Sequence, residues 1–576
     1  MFSSLRNVPK LVRPKKCLPI LVRPLSVANE SGVLKSTLPD LNIPDVSIPE
    51  HVFQNFDKFP NKIALECAVS GRKYTYEDVI IKSRNLSRSL RKKFKLSPGD
   101  VAAILLPNLP EYPICIYGCL QSKVAVTTIN PIYTPDEISK QLIDSGAKVI
   151  ITLPMFHPVA TASINLTKKN IPIIAIKTQA AEALPNGTIN LFQLFDEKLD
   201  IEDLQPAKSS DVALIPYSSG TTGLPKGVPL THRNIIANVC QASGHDFRLH
   251  VETTEDHQDV VPAILPFFHI FGMTALQFVN MASLCKILTL PKFTPELFLK
   301  MLLHHKPHTL IVVPSIINFI ANQSAVKKEY FPNTRIFFSG AAPLSGQDEE
   351  KLLNKVGHDK QIRQGYGLTE TSPAVFMSST RTASLGIRGS AGELMPNTSV
   401  KLVSSDNPKR IISTPGEHGE LLVKGPQVMK GYLKDSDNSN AFDGEYFKTG
   451  DLMYYDDNQA FYVVERLKEL IKVKGFQVAP AELEDLLRGH PDVLDAAVIG
   501  IPHSQYGEVP RAYLVPKPDH NIKPDTIKDF IADKVANYKQ LLGGISVIDA
   551  IPKNMSGKIL RKDLKSLYNS EAKLCT

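Results

Sequence analysis

No stretch of this chain approaches eighteen consecutive apolar residues, so the sequence offers no candidate membrane span. Its seven cysteines (Cys17, Cys67, Cys115, Cys119, Cys240, Cys285 and Cys575) include no CxxC pair, and none lies at zinc-ligand spacing from a histidine. That pattern excludes a recognisable structural metal site and fits a reducing compartment. Cys115 and Cys119, four apart in an apolar segment, read as one buried helix face. Internal repeats and low-complexity tracts are absent too. Acidic residues are missing altogether before Glu30, where Arg6, Lys10, Arg13, Lys15, Lys16 and Arg23 gather. Most of the +8 formal charge therefore sits in a short leader, and the remaining body is nearly neutral. A polyanion-binding role, nucleic acid above all, loses its main support.

A basic, acid-free leader containing Ser3, Ser4 and Ser26 has the composition of a mitochondrial transit peptide, although Pro9, Pro14, Pro19 and Pro24 oppose an amphipathic helix. Residues 1–29 are read as this leader. A mitochondrial location is expected, with cytoplasm or peroxisome as alternatives; Ala572-Lys573-Leu574 would be a peroxisomal address only at a terminus.

The length of 576 residues predicts two to four domains. From about Pro49, apolar runs of strand length alternate with helical patterns: Val101–Leu106, a helix around Pro113–Gln121, then strands near Ala125–Thr128, Lys148–Thr152, Ile173–Ile176, Ala213–Tyr217 and Thr309–Val313. This rhythm predicts an α/β fold, with parallel sheets stacked between helices. Ser390–Tyr462, with shorter alternating strands and turn clusters, predicts a small barrel-like subdomain. A boundary falls near Val463–Lys468. Beyond it Pro480–Arg488 and Lys523–Asn537 read as helices and Leu494–Gly500 as a strand, a small α+β unit. Leu542–Ser546 imitates the LGG-x-S of carrier proteins, but no helical bundle follows it, and it reads as a turn entering a strand.

The richest dozen residues are Tyr217–Val228, YSSGTTGLPKGV, between an apolar strand and Thr231, a helix N-cap. Ser218, Ser219, Gly220, Thr221, Thr222 and Gly223 can turn amides and hydroxyls toward one anion, while Lys226 supplies a point charge. The Walker template fails, because the fifth residue after Gly220 is Pro225. Other segments offer the remaining parts of an ATP site. Ser339–Pro343 places small residues after a strand, where a flat purine can approach the backbone. Within Gln364–Glu370, Tyr366 can stack on adenine, Thr369 can bond the α-phosphate, and Glu370 can hold Mg²⁺ through oxygen. Asp451 ends a turn and suits ribose hydroxyls. Arg466 and Lys468 stand at the proposed boundary, and Lys558 follows Gly557 in a polar C-terminal loop. Taken singly, each has a plain structural alternative: an ordinary turn, a packed tyrosine or a solvated charge run.

Taken in order, these segments, together with Leu265–Met273 (LPFFHIFGM), resemble the acyl-CoA synthetase branch of the adenylate-forming superfamily, the 4-coumarate–CoA ligases and their fatty-acyl and luciferase-like relatives. The resemblance runs from about Pro49 to Leu564. It implies an N-terminal adenylation domain, residues 30–464, a mobile C-terminal domain, residues 465–576, and a reaction in two steps using ATP, Mg²⁺ and coenzyme A. A carboxylate first attacks the α-phosphorus, with Lys558 stabilising the charge. The C-terminal domain then turns about Lys468, and the Lys474-Gly475 face admits the coenzyme A thiol. By the same resemblance Ala342, Gln364, Gly365, Arg466 and Lys472 contact the nucleotide, Lys292 contacts coenzyme A, and His269 gates an acyl pocket including Gly340 and Ala341. The competing readings are a 4-coumarate-type aromatic acid ligase, an adenylating enzyme whose acceptor is a carrier protein, an amine or oxygen as in luciferases, and a binding protein that has lost catalysis.

Two departures stand out. Glu465 occupies a position where the family often has Asp, which changes only the carboxylate's reach. Phe271 and Ala275 replace the tyrosine and serine that hydroxycinnamate ligases offer to a ring hydroxyl. Burying an unpaired hydroxyl costs about 1–3 kcal/mol. With Met273, Ile316, Ile317 and Phe319 nearby, an apolar pocket and a medium- or long-chain fatty acid are expected. The leader has its own test: a fluorescent fusion of residues 1–30 is expected to concentrate in mitochondria, and a diffuse cytosolic signal refutes that address.

Overall fold

The computed structural model describes residues 32–179, 182–218, 225–474, 476–532, 534–555 and 557–574. The leader, Ser219 to Gly223 of the phosphate loop, and Gly475 lie outside the described residues.

Continuous apolar runs, rather than alternating ones, mark strands buried on both faces, and here they build parallel sheets. Among the described residues the first sheet runs in the order Leu230–Thr231, Val212–Leu214, Ala125–Thr128, Val101–Leu105, Ala147–Thr152, Ile173–Ala175 and Thr188–Asn190. All its pairings are parallel except that of Leu230–Thr231. A second sheet orders Thr309–Val312, Ile336–Ser339 and Gln361–Gly367 in parallel, then adds Ala374–Met377 and Glu393–Leu394 antiparallel. A third joins Val260–Ala263, Lys286–Thr289, Ile63–Cys67 and Lys73–Thr75. Cys115 and Cys119 are both fully buried on the helix Glu111–Gln121, as their spacing predicts.

The segment read as barrel-like is an antiparallel sheet built on Ser399–Val403, Gly419–Lys424, Tyr446–Tyr455 and Phe461–Arg466. Its last strand stays paired, past a register shift between Leu452 and Met453, to Asp451↔Arg466, so the change of sheet falls between Arg466 and Ile471. Beyond that point Val493–His503 and Gly507–Pro516 form a long hairpin covered by Pro480–Arg488, Pro524–Ala532 and Arg561–Leu574. The helix expected over Lys523–Asn537 is shorter and ends at Ala532. Gln540 caps the chain there: its Nε2 donates to the carbonyls of Ala532 at 3.0 Å and Val535 at 3.2 Å.

Sheets are tied to each other by a buried ion pair. Glu111, fully buried at the start of its helix, receives Nε of Arg72 at 2.5 Å and the hydroxyl of Tyr74 at 2.6 Å. Removing Glu111 leaves the Tyr74 hydroxyl without its acceptor and the partly buried Arg72 with only the Lys177 carbonyl, at 3.3 Å. Glu111→Ala is therefore expected to cost about 3 kcal/mol, read as a lowered unfolding midpoint, with the KM for ATP of the folded fraction unchanged.

Candidate active site

Strand ends and the loops after them converge on one cavity of about 630 Å³ between the sheets and the C-terminal domain. The phosphate loop opens from a short hairpin, Tyr217–Ser218 against Lys226–Gly227, which sets Ser218 opposite Lys226. Thr231 caps the helix His232–Ser243 through Asn234 in a reciprocal capping box, the start its sequence predicts. Lys226 reaches the cavity with its Nζ 3.2 Å from Asp437 and 4.8 Å from the centre of the Tyr432 ring.

Thr369 and Glu370 follow the strand Gln361–Gly367, and both line the cavity with little solvent exposure. Glu370 Oε1 accepts the Tyr432 hydroxyl at 2.9 Å, leaving its other oxygen for a cation. Tyr366 donates its hydroxyl to Asp451 at 2.6 Å. Burial and the Asp451 charge push the phenol well above its ordinary pKa, so it stays a donor. Arg466 Nε sits 2.9 Å from the other Asp451 oxygen, so the residue read as the ribose anchor is held from two sides.

Ala341 occupies the left-handed region with φ of 71°, a strained conformation for a residue with a Cβ, and it faces the cavity. At Gly340 a Cβ would lie 3.0 Å from Phe271 Cζ and 3.4 Å from the carbonyl of Gly365, so the absence of a side chain keeps a slot open. Ala342, Gln364 and Asp451 line the adjoining cleft. The Gln364 amide is spent within the protein: Nε2 donates to the Leu344 carbonyl at 2.9 Å and to Glu349 at 2.6 Å. Its backbone is engaged as well, the amide donating to Ser378 Oγ at 3.0 Å and the carbonyl accepting the Ser378 amide at 2.7 Å.

Lys558 comes from the other domain. Gly557 before it has φ of 79°, and a Cβ there would lie 3.0 Å from Ser315 Oγ and 3.1 Å from Val313 across the cleft. That close approach carries Lys558 into the cavity, 3.8 Å from Glu469. Desolvation and the nearby Arg466 charge lower its pKa from the ordinary lysine value. Lys468 lines the same cavity. Lys292 is exposed in the turn before Pro295–His305, and Lys472 and Lys474 are exposed on the C-terminal sheet; none of the three lines the cavity. Lys474 instead lies over the Tyr506 ring at 4.1 Å.

His269 stands in the wall, its Nδ1 accepting the Phe271 amide at 3.3 Å. Burial pushes the imidazole down to about 4, so it is neutral at physiological pH. Phe271 and Ala275 line the same cavity, as do Leu249, Val279, Ile311 and Phe338. Met273, Ile316, Ile317 and Phe319, expected there from sequence, do not line it. Met273 is fully buried in the main core, and Ile317 belongs to the core around Phe298, against which Ile316 and Phe319 pack. Helix periodicity told that these residues are buried, not which side buries them.

Tyr432 and Asp437, which support Glu370 and Lys226, were not singled out in the sequence. No spacing links positions 432 and 370. The donor set fits a magnesium-bound triphosphate: Lys226, Arg466, Lys468 and Lys558 line one cavity with the buried carboxylate of Glu370 and a slot with no side chain. A cavity of this kind defines an enzyme that activates an acid with a nucleotide. The family comparison agrees. Residues 52–433 match the AMP-binding enzyme family and residues 482–558 its C-terminal domain, and the chain belongs to this family. It is 35% identical to 4-coumarate–CoA ligase 1 of Arabidopsis thaliana, over 93% of this chain and 96% of that protein. It is also 35% identical to the probable 4-coumarate–CoA ligase 1 of Dictyostelium discoideum, over 92% and 97%. Among solved structures, o-succinylbenzoate coenzyme A synthetase (MenE) from Bacillus subtilis with ATP and magnesium ion is similar at a TM-score of 0.72 and 28% identity, over 90% and 99%. ATP-bound MatB from Rhodopseudomonas palustris shares the fold at a TM-score of 0.80 and 24% identity, over 91% and 99%.

Losing a hydrogen bond to a charged group costs about 1.5–3 kcal/mol. Tyr432→Phe is accordingly expected to raise the Mg²⁺ concentration needed for half-maximal AMP formation by about tenfold, and the lost hydrogen bond lowers the unfolding midpoint.

Proposed function

We propose that this ATP-dependent acid–CoA ligase activates a medium- or long-chain fatty acid and that it does so in the mitochondrion. The observation that carries the substrate reading is the apolar part of the cavity lining, formed by Leu249, Phe271, Ala275, Val279, Ile311 and Phe338. A fatty acyl tail loses nothing by burial there and gains about 0.8 kcal/mol per methylene.

A carboxylate is a poor electrophile and becomes reactive only with a good leaving group. In the first step its oxygen attacks the α-phosphorus of ATP, and the bond to pyrophosphate breaks. Mg²⁺ held at Glu370 would neutralise phosphate charge. Lys226 and Lys558 bring further positive charge to the cavity, and each such preorganised contact is worth on the order of 10²–10³ in rate. Neutral His269 positions and shields the acid without competing for its charge. In the second step the C-terminal domain turns about Lys468, Lys558 leaves, and the coenzyme A sulfur attacks the acyl carbonyl, expelling AMP.

One observation favours an aromatic, hydroxylated acid instead. His250 and Thr274 also line the cavity, and their ring nitrogens and hydroxyl are buried without hydrogen-bond partners. A phenol reaching them would remove that penalty, in keeping with the names of the relatives.

AMP release from MgATP, measured with acids from acetate through palmitate and with coumarate, with and without coenzyme A, separates the two. Preference for the longer fatty acids is expected. Preference for coumarate overturns the fatty-acid reading, and turnover indifferent to coenzyme A overturns the thiol acceptor. Lys558→Ala is expected to abolish adenylation by at least about 10² while sparing thioester formation from preformed acyl-AMP. The alkaline limb that the lowered lysine pKa gives to adenylation disappears from the second step.

A further inference from the structure

Glu465 is the penultimate residue of the strand Phe461–Arg466, so it belongs to the body of the protein, but its carboxylate reaches into the C-terminal domain. Oε2 accepts the amide of Ala481, in the first turn of Pro480–Arg488, at 3.0 Å and lies 3.5 Å from Nη2 of Arg561. Oε1 accepts the amide of Arg466 at 3.0 Å. Arg561 is held at the same time by Glu469 at 3.0 Å and Glu484 at 2.5 Å, and Glu469 is the carboxylate beside Lys558. One buried guanidinium thus serves three carboxylates. Glu469 and Glu484 lie beyond Lys468 and move with Arg561. Only Glu465 stays behind when the domain turns.

We infer that Glu465 is a positioning residue: through Arg561 and the Ala481 amide it docks the C-terminal domain with Lys558 in the cavity, and the negative charge it adds around Arg561 sets how readily the domain leaves. This rests on the two-step reading above, in which the domain turns about Lys468. The neutral carboxyl keeps its oxygen acceptor for the Ala481 amide and brings no third charge. The ionised form brings that charge into a dry cluster. Burial above all, with Glu484 and Glu469 adding to it against the pull of Arg561, raises the Glu465 carboxyl to about 7. Once undocked and solvated, the carboxyl returns to its ordinary range near ~4.3. The docked orientation therefore binds the proton more tightly: docking is favoured as pH falls through 7, and rising pH favours release. Between pH 8 and 6 the docked-to-released ratio rises by about tenfold.

The two half-reactions of the full chain, pyrophosphate exchange and thioester formation from preformed acyl-AMP with coenzyme A, are measured from pH 6 to 8.5. Wild type, Glu465→Gln, Glu465→Asp and Lys558→Ala are compared. In wild type the adenylation-to-thioester ratio is expected to fall by about tenfold from pH 6 to 8 beyond the change seen in Glu465→Gln, a comparison in which ionisation of the coenzyme A thiol cancels. Glu465→Gln is expected to keep adenylation and to form thioester more slowly at pH 8. Glu465→Asp, which still titrates, keeps a pH-dependent ratio. Equal slowing of both half-reactions in Glu465→Gln, or a wild-type pH dependence of its ratio, overturns the assignment. If Lys558→Ala fails to separate the half-reactions, the two-step reading itself falls; if it separates them and Glu465→Gln leaves the ratio unmoved, only the role of Glu465 does.

Discussion

Joining two anions requires positive charge held close and dry before either anion arrives, and much of this structure answers that demand. A buried cation without a partner is costly, so those with described partners rest on carboxylates. Lys226 rests on Asp437, Arg466 on Asp451 and Lys558 on Glu469. These pairs are partly exposed on the lysine side, with contacts of 3.2 and 3.8 Å for the two lysines, loose enough to be exchanged for phosphate oxygens. The Asp451 pair is tighter, at 2.9 Å, and its carboxylate is buried.

The sheets supply the geometry. Parallel strands end on a common side, and the loops leaving them are where backbone groups become available to a ligand. Ser339–Ala342, Tyr366–Glu370 and the Ser218/Lys226 hairpin all leave strand ends toward the same cavity. The antiparallel sheet contributes Asp451 and Arg466 as register partners on adjacent strands. Lys558 is the exception, carried in by a loop of the other domain whose Gly557 fits tightly against Val313 and Ser315. The place of that charge thereby depends on how the domains dock.

Glu465 shows how a small change of side chain acquires a consequence in the fold. In sequence it differs from aspartate by one methylene. In the structure that length spans from the last strand of the body to the Ala481 amide and toward Arg561, beside two further carboxylates. Acidity there follows from burial and crowding, and neither can be read from the residue type.

Much of the architecture was legible beforehand, because strand and helix signals are local. The strand Ala125–Thr128 and the helix Pro480–Arg488 lie where their patterns place them, and Thr231 caps its helix through Asn234 as capping chemistry requires. The helix ending at Ala532 was overestimated, and the carbonyl at its end is capped by Gln540, eight residues further on. Met273 and Ile317 were assigned to the pocket because apolar character predicts burial without direction. Tyr432, Asp437 and Arg561 escaped notice because their partners lie far along the chain or are many. The sequence alone therefore determined the family, the order of the motifs and the residue types able to handle a triphosphate, since these are carried by short segments. The tertiary structure decided which cations share the cavity, which apolar side chains line it, and how strongly Glu465 holds its proton, since these depend on distances and dielectric surroundings that only packing creates.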